Sequence, residues 1–206
     1  MALQSFESRF RVAGNILILA SASFDIWWFY ECENTRDLPA LNEFPTFFRY
    51  DSEAHFRNMI VSLCTLYDKA RGSIKIETLL EEVQIKAPTK VNLIMNTYVS
   101  AQPRAKKIKK LRDNLFAHRN KQRSVNQIYR EAQLTGDDCK ILISDTLAWL
   151  NMIADALEIS SVALSPFVTS EAAQIMRRIK RSKPRRRPSV ARTFSDVFGI
   201  DNLPEL

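Results

Sequence analysis

This chain of 206 residues has two histidines, His55 and His118, and an arginine stands six positions before each. The pairs are Arg49 with His55 in RYDSEAH and Arg112 with His118 in LRDNLFAHRNK. A guanidinium is always charged, whereas an imidazole with a pKa of about 6.5 exchanges its proton near neutrality. Together they suit chemistry on a phosphodiester, the imidazole moving a proton and the guanidinium stabilising charge on the phosphorus oxygens. The same spacing occurs twice, so spacing alone is not specific.

Helical geometry constrains the second pair. Leu111, Leu115 and His118 fall on one stripe of an ideal helix, which equally describes an inert, hydrogen-bonded histidine on a buried edge. Asn114 precedes His118 by four, so their side chains can meet. Arg112 lies about a third of a revolution round the helix from His118. One helix therefore does not bring both onto one phosphate, but two such helix ends paired about a two-fold axis do. His55 reads as the first turn of an amphipathic helix.

The elements that must hold these residues are helical. With four isolated glycines and long runs of Leu, Ala, Ile, Lys, Arg, Asp and Glu, the composition points to an all-α protein. Apolar periodicity predicts a first helix over about 3–32 and an irregular connection over 38–50 with Pro39 and Pro45. A second helix, capped by Asp51 or Ser52, should run to Arg71 and bury Phe56, Met59, Ile60, Leu63, Leu66 and Tyr67. Gly72 and Ser73 break it before a short helix over 76–83. Pro88 opens a helix to about Ser100, Pro103 interrupts it, and helical spacing resumes over 104–119. A short polar helix over 124–134, a long one over 138–158 and a last one over 169–181 complete the expectation. The long one should bury Leu142, Leu147, Leu150, Ile153 and Leu157. Residues 1–181 then form one helical domain, and 182–206 a basic tail without apolar periodicity, disordered when alone.

The net charge of +7 is unevenly distributed. Ala172 to Ser195 carries nine Lys and Arg and no acid, whereas residues 1–171 are close to neutral with 21 bases and 20 acids. Clustered positive charge suits nucleic acid, an acidic partner or an anionic surface. Lys106, Lys107, Lys109, Lys110, Arg119, Lys121 and Arg123 flank the second histidine pair, with Arg104 a little earlier. These could track an RNA backbone or simply form a solvated helix face. In the tail, Arg185, Arg186 and Arg187 favour nucleic acid over a targeting signal, and FSDVFGIDNLPEL at the end has apolar residues among acids that could dock on this chain or a partner.

Other chemistries find little support. Cys32, Cys64 and Cys139 are odd in number and widely spaced, which suggests neither a disulfide framework nor a zinc site, and Cys64 and Cys139 sit among apolar residues as core. There is no Gly-rich phosphate loop, serine elbow or His-rich helix, and Glu81-Glu82 and Asp137-Asp138 are adjacent pairs that diverge on a helix. No cofactor or metal is expected. VAGNILILASASF, after Arg9 and Arg11, has the look of a cleavable leader, but the apolar run continues through Trp27, Trp28 and Phe29 with Asp25 inside it. A core helix is the better expectation, too short and too interrupted to span a bilayer, in a protein of the reducing cytoplasm.

RDNLFAHRNK resembles the signature of the HEPN superfamily (higher eukaryotes and prokaryotes nucleotide-binding), an Arg followed by a polar residue and then a His. IVSLCTLYDKARGSIKIETLL, at 60–80, is similar to the helix, Asp-containing turn and short helix of its abortive-infection AbiU-like branch. The resemblance covers roughly residues 50–160. It implies an antiparallel helical bundle, often a homodimer, and commonly a metal-independent endoribonuclease of phage-defence or toxin-antitoxin systems. It makes Arg112 and His118 the catalytic pair, with Asp113 and Asn114 as the polar positions after the arginine, and RNA as substrate. An antitoxin or other regulatory protein is a possible partner. Asn120 stands where branches regulated by nucleotidylation have a tyrosine, so such regulation is not expected. The rival expectation is a non-catalytic RNA-binding or protein-interaction module that keeps the motif as a dimer contact.

Overall fold

The computed structural model describes residues 5–68, 76–117, 125–165 and 167–181. Among the described residues the chain is all-α, in the order α1 (Phe6–Leu41), α2 (Pro45–Tyr67), α3 (Ile76–Lys86), α4 (Val91–Arg112), α5 (Val125–Ala132), α6 (Gly136–Leu157) and α7 (Phe167–Arg181). A short 3-10 turn (Pro88–Lys90) precedes α4 and a π-helical segment (Asp113–Ala117) follows it. The segments holding Gly72, Ser73, His118, Arg119, Lys121, Arg123 and the whole tail, with Arg185 to Arg187 and the terminal apolar stretch, lie outside the described residues.

The main core is built where α1, α2, α4 and α6 converge. Ala13, Leu17, Ala20 and Phe24 of α1 meet Met59, Ile60, Leu63 and Leu66 of α2, Ile94, Ile108 and Leu111 of α4, and Leu142, Leu150 and Ile153 of α6. As expected, Met59, Ile60, Leu63, Leu66, Leu142, Leu150 and Ile153 are buried, as are Cys64 and Cys139, while Phe56, Tyr67, Leu147 and Leu157 pack partly buried against them. A second cluster of Phe29, Tyr30, Leu41, Phe48 and Met176 seats α7 against the end of α1 and the start of α2.

Several boundaries differ from the sequence expectation. The connection over 38–50 contracts to residues 42–44, because α1 continues to Leu41 and α2 begins at Pro45. A proline costs nothing at the first helical position, where its missing N–H would have no partner anyway. His55 is therefore inside α2, not in its first turn, and Asp51 is not a cap: it accepts a hydrogen bond from the Tyr30 hydroxyl at 2.7 Å. At the other end α2 stops at Tyr67 rather than Arg71, with Asp68 already extended at φ −79° and ψ 137°. Pro103 does not interrupt α4. The carbonyl that loses its amide partner is that of Val99, four residues earlier, whose residue is 56% exposed, so water can take the place of the missing N–H. The helix expected to resume over 104–119 keeps α geometry only to Arg112. The short helix α5, expected to be polar, is amphipathic and inserts Ile128 and Ala132 into the core.

Against the expectation of a stretch too short and too interrupted to span a bilayer, Phe6–Glu31 is long and apolar enough to do so by length and composition. In this fold it supplies Phe10, Ala13, Leu17, Ala20 and Phe24 to the core.

Candidate functional site

The C-terminal ends of α2 and α4 meet, and the charged groups of interest collect there. Leu63 and Leu66 of α2 and Ile108 and Leu111 of α4 are fully or almost fully buried, which fixes how far each helix end projects. Tyr67 stacks on Tyr98 with ring centroids 6.0 Å apart, and Tyr98 packs on Trp149 at 5.8 Å. The Tyr67 hydroxyl also lies 2.7 Å from Thr146 Oγ1. These contacts lock the last turn of α2 to α4 and α6 one residue before Asp68.

From that position Asp68 reaches α4. Arg112 Nη1 donates to Asp68 Oδ2 at 2.8 Å, and Lys109 Nζ lies 3.3 Å from Asp68 Oδ1. Arg112 also donates from Nε to Asp113 Oδ1 at 2.8 Å, and its Nη2 lies 2.7 Å from the same oxygen. The Arg112 hydrogen bond, working against desolvation and helped by Lys109, holds the Asp68 carboxyl down at about 2. Desolvation opposes the charge on Arg112, but the bonds to Asp68 and then Asp113 outweigh it and raise its pKa. Beneath lies Cys64, one turn before Asp68, whose thiol burial pushes up to about 12 despite the positive charge of Arg112. It is a neutral floor to the cluster, not a nucleophile.

Asn114 sits where α-helix passes into π-helix. Its side-chain amide donates to the Lys110 carbonyl at 2.7 Å. The Lys110 carbonyl also accepts from the backbone N–H of Asp113, so the Asn114 side chain adds a second bond to it at the junction. Its amide nitrogen is thereby engaged, while its side-chain oxygen is free of that bond.

The flanking bases are placed unequally. Lys107 pairs with Asp138 at 2.9 Å, Lys109 with Asp68, and Arg104 with Asp145 at 3.3 Å. Lys110 donates to the backbone carbonyl of Glu131 in the last turn of α5, where a cation complements the negative helix end. Among the described residues Lys106 is exposed and has no ion-pair partner. Asp138 is doubly used, since it also closes a capping box with Thr135 at the start of α6. Its pKa is lowered, with the bonds from Lys107 and Thr135 overcoming desolvation.

Of the expected catalytic residues, then, Arg112, Asp113 and Asn114 are together at one helix junction, and His118 lies outside the described residues. Asp68 is not among the residues that the sequence singles out for chemistry. Its only signal was the single acid in the turn LYDKARG, and nothing in that spacing says that it meets an arginine 44 residues later. His55, the control with identical spacing, has no such company: its Nε2 lies 3.6 Å from Asp51 one turn earlier, and Arg49 is on the same helix. Among the described residues no three His, Cys, Asp or Glu side chains lie close enough to share a metal ion.

No curated protein and no solved structure gives a significant match to this chain. The family model HEPN_AbiU2, described as AbiU2, matches residues 3–176, which include every helix except the last residues of α7. With an all-α bundle and an arginine anchored at the start of the motif, the chain belongs to the HEPN AbiU2 family, an abortive-infection type of HEPN module.

Proposed function

We propose that this protein is a metal-independent endoribonuclease of a prokaryotic phage-defence or toxin-antitoxin system, acting as a two-fold dimer in the cytoplasm. The observation that carries the reading is the anchoring of Arg112. Its guanidinium is positioned by Asp68 and Asp113 immediately before the segment bearing His118. In the proposed reaction His118 takes the proton of a ribose 2′-OH, and that oxygen attacks the adjacent phosphorus. Arg112 stabilises the charge that builds on the phosphorus oxygens. The P–O5′ bond breaks, a proton passes to the leaving oxygen, and the products are a 2′,3′-cyclic phosphate and a 5′-hydroxyl. The Asn114 side-chain oxygen is the atom available to orient the imidazole.

RNA binding is assigned to Lys106, Arg119, Lys121 and Arg123 with the tail arginines Arg185, Arg186 and Arg187. Lys107, Lys109 and Lys110 contribute to the local potential while holding α4 to its neighbours. A regulatory protein, antitoxin or other, belongs to the same reading as a partner.

The test is incubation of the pure protein with total RNA in excess EDTA. Cleavage is expected, with loss in His118→Ala and in Arg112→Ala while circular dichroism stays helical, and retention in His55→Ala. Activity in a folded His118→Ala variant, or an absolute need for divalent metal, would remove this mechanism and favour a non-catalytic RNA-binding or interaction module.

A further inference from the structure

A guanidinium offers five N–H donors on a rigid fork, and its Nε and Nη2 edge presents two of them in parallel. That edge is well shaped for a phosphate. In Arg112 it is occupied: Nε donates to Asp113 Oδ1 at 2.8 Å, and Nη2 lies 2.7 Å from the same oxygen. The opposite corner, Nη1, is held by Asp68 at 2.8 Å.

The two carboxylates are not equivalent. Asp68 comes from a different helix, shares Lys109, and its side chain is 17% exposed. Asp113 follows Arg112 directly in the chain, opens the π-helical segment, and its side chain is 38% exposed. Among the described residues it has no second cation. Two cations face two carboxylates, so the cluster is balanced without substrate. Bringing a phosphodiester onto the same edge with Asp113 still in place would set two anions side by side, which is repulsive. Asp113 can turn into water and Asp68 cannot do so as readily.

We infer that Asp113 is an internal stand-in for the substrate phosphate: it closes the Nε and Nη2 edge of Arg112 until an RNA phosphodiester displaces it, while Asp68 keeps the guanidinium in place. The identity of the anion rests on the ribonuclease reading above; the gate itself rests on the geometry. Such a gate lowers affinity for every anion and favours a polyanion, whose neighbouring phosphates engage other bases and help expel the carboxylate. It also gives the polar position after the arginine a role distinct from proton transfer.

The experiment measures binding of a non-cleavable 2′-O-methyl oligoribonucleotide by fluorescence anisotropy, using the full chain. Asp113→Asn, nearly isosteric, should bind roughly two- to fivefold more tightly, the range an exposed ion pair commands. Removing any acid helps an anion bind, so Asp145→Asn, which takes from Arg104 the nearer of its two acidic partners, sets the baseline and should gain less. In an Arg112→Gln background the gain from Asp113→Asn should vanish. A parallel arm records the thermal shift produced by inorganic phosphate, which does not depend on RNA being the ligand. Arg112-dependent stabilisation of Asp113→Asn by phosphate, without RNA affinity in any variant, would uphold the gate and remove the ribonuclease reading. If Asp113→Asn gains for neither probe, or gains equally without Arg112, the gate is overturned.

Discussion

Arg112 Nη1 and Asp68 Oδ2 are 2.8 Å apart, an ion pair that joins the ends of α2 and α4 across 44 positions of sequence. Both side chains are largely shielded, and each has a further partner, Lys109 for Asp68 and Asp113 for Arg112. The arginine is thus held from two sides before any substrate is present.

Removing one partner of this pair leaves the other partly buried with only its second partner to compensate it. Asp68→Ala should destabilise the fold by about 1–3 kcal/mol, the usual loss for a charge-assisted hydrogen bond with its desolvated partner left behind. Urea denaturation of the single variants and of Asp68→Ala with Arg112→Ala gives the coupling. Strict additivity of the two would mean that the pair contributes nothing to the fold.

Acid should loosen the same junction. The folded-state carboxyl of Asp68 is at about 2, below its ordinary value of 3.8, so its contribution is fully present above about pH 4 and is lost as pH falls toward 2. Asp138, also lowered, acts in the same direction at the start of α6. Thermal midpoints between pH 5 and 2 should fall less steeply in Asp68→Asn than in the wild type; equal slopes would contradict the assignment.

Gly136 is the first residue of α6, and a Cβ built there would stand 2.0 Å from Cζ3 of Trp28. The Trp28 ring also stacks on Phe24 at 5.8 Å, so it cannot yield without disturbing α1. Gly136→Ala should therefore destabilise by roughly 1–3 kcal/mol through overpacking, although alanine is the better helix former. A melting temperature at or above wild type would show that Trp28 moves freely.

Ending the chain at Ser182 removes Lys183, Arg185, Arg186, Arg187 and Arg192. On the proposed reading RNA binding should weaken and its dependence on salt should flatten, because fewer counterions are released, while residual cleavage persists. Light scattering on the same samples should give about twice the chain mass for both lengths, since the two-fold contact is placed near the motif. An unchanged salt slope would take the tail out of RNA binding, and a monomer at every concentration would leave a composite site without support.

Local rules written into the sequence decided the fold class and most of the core. Periodicity at 3.6 residues marked Met59, Ile60, Leu63 and Leu66 in α2 and Leu142, Leu150 and Ile153 in α6, because burying one helical face needs only that spacing. Arg112, Asp113 and Asn114 stay together at the end of α4 simply because they are neighbours in the chain. Tertiary structure decided what local rules cannot reach. Pro103 reads as a break, yet the exposure of Val99, one turn earlier on the same face, lets α4 run through it. Gly136 reads as one of four isolated glycines, while its actual necessity comes from Trp28, more than 100 residues away. Asp68 reads as a turn residue, and only the packing of α2 on α4 makes it the anchor of Arg112. The sequence carries each of these residues, but their meaning depends on partners that the hydrophobic core brings within contact, and no spacing along the chain encodes that proximity.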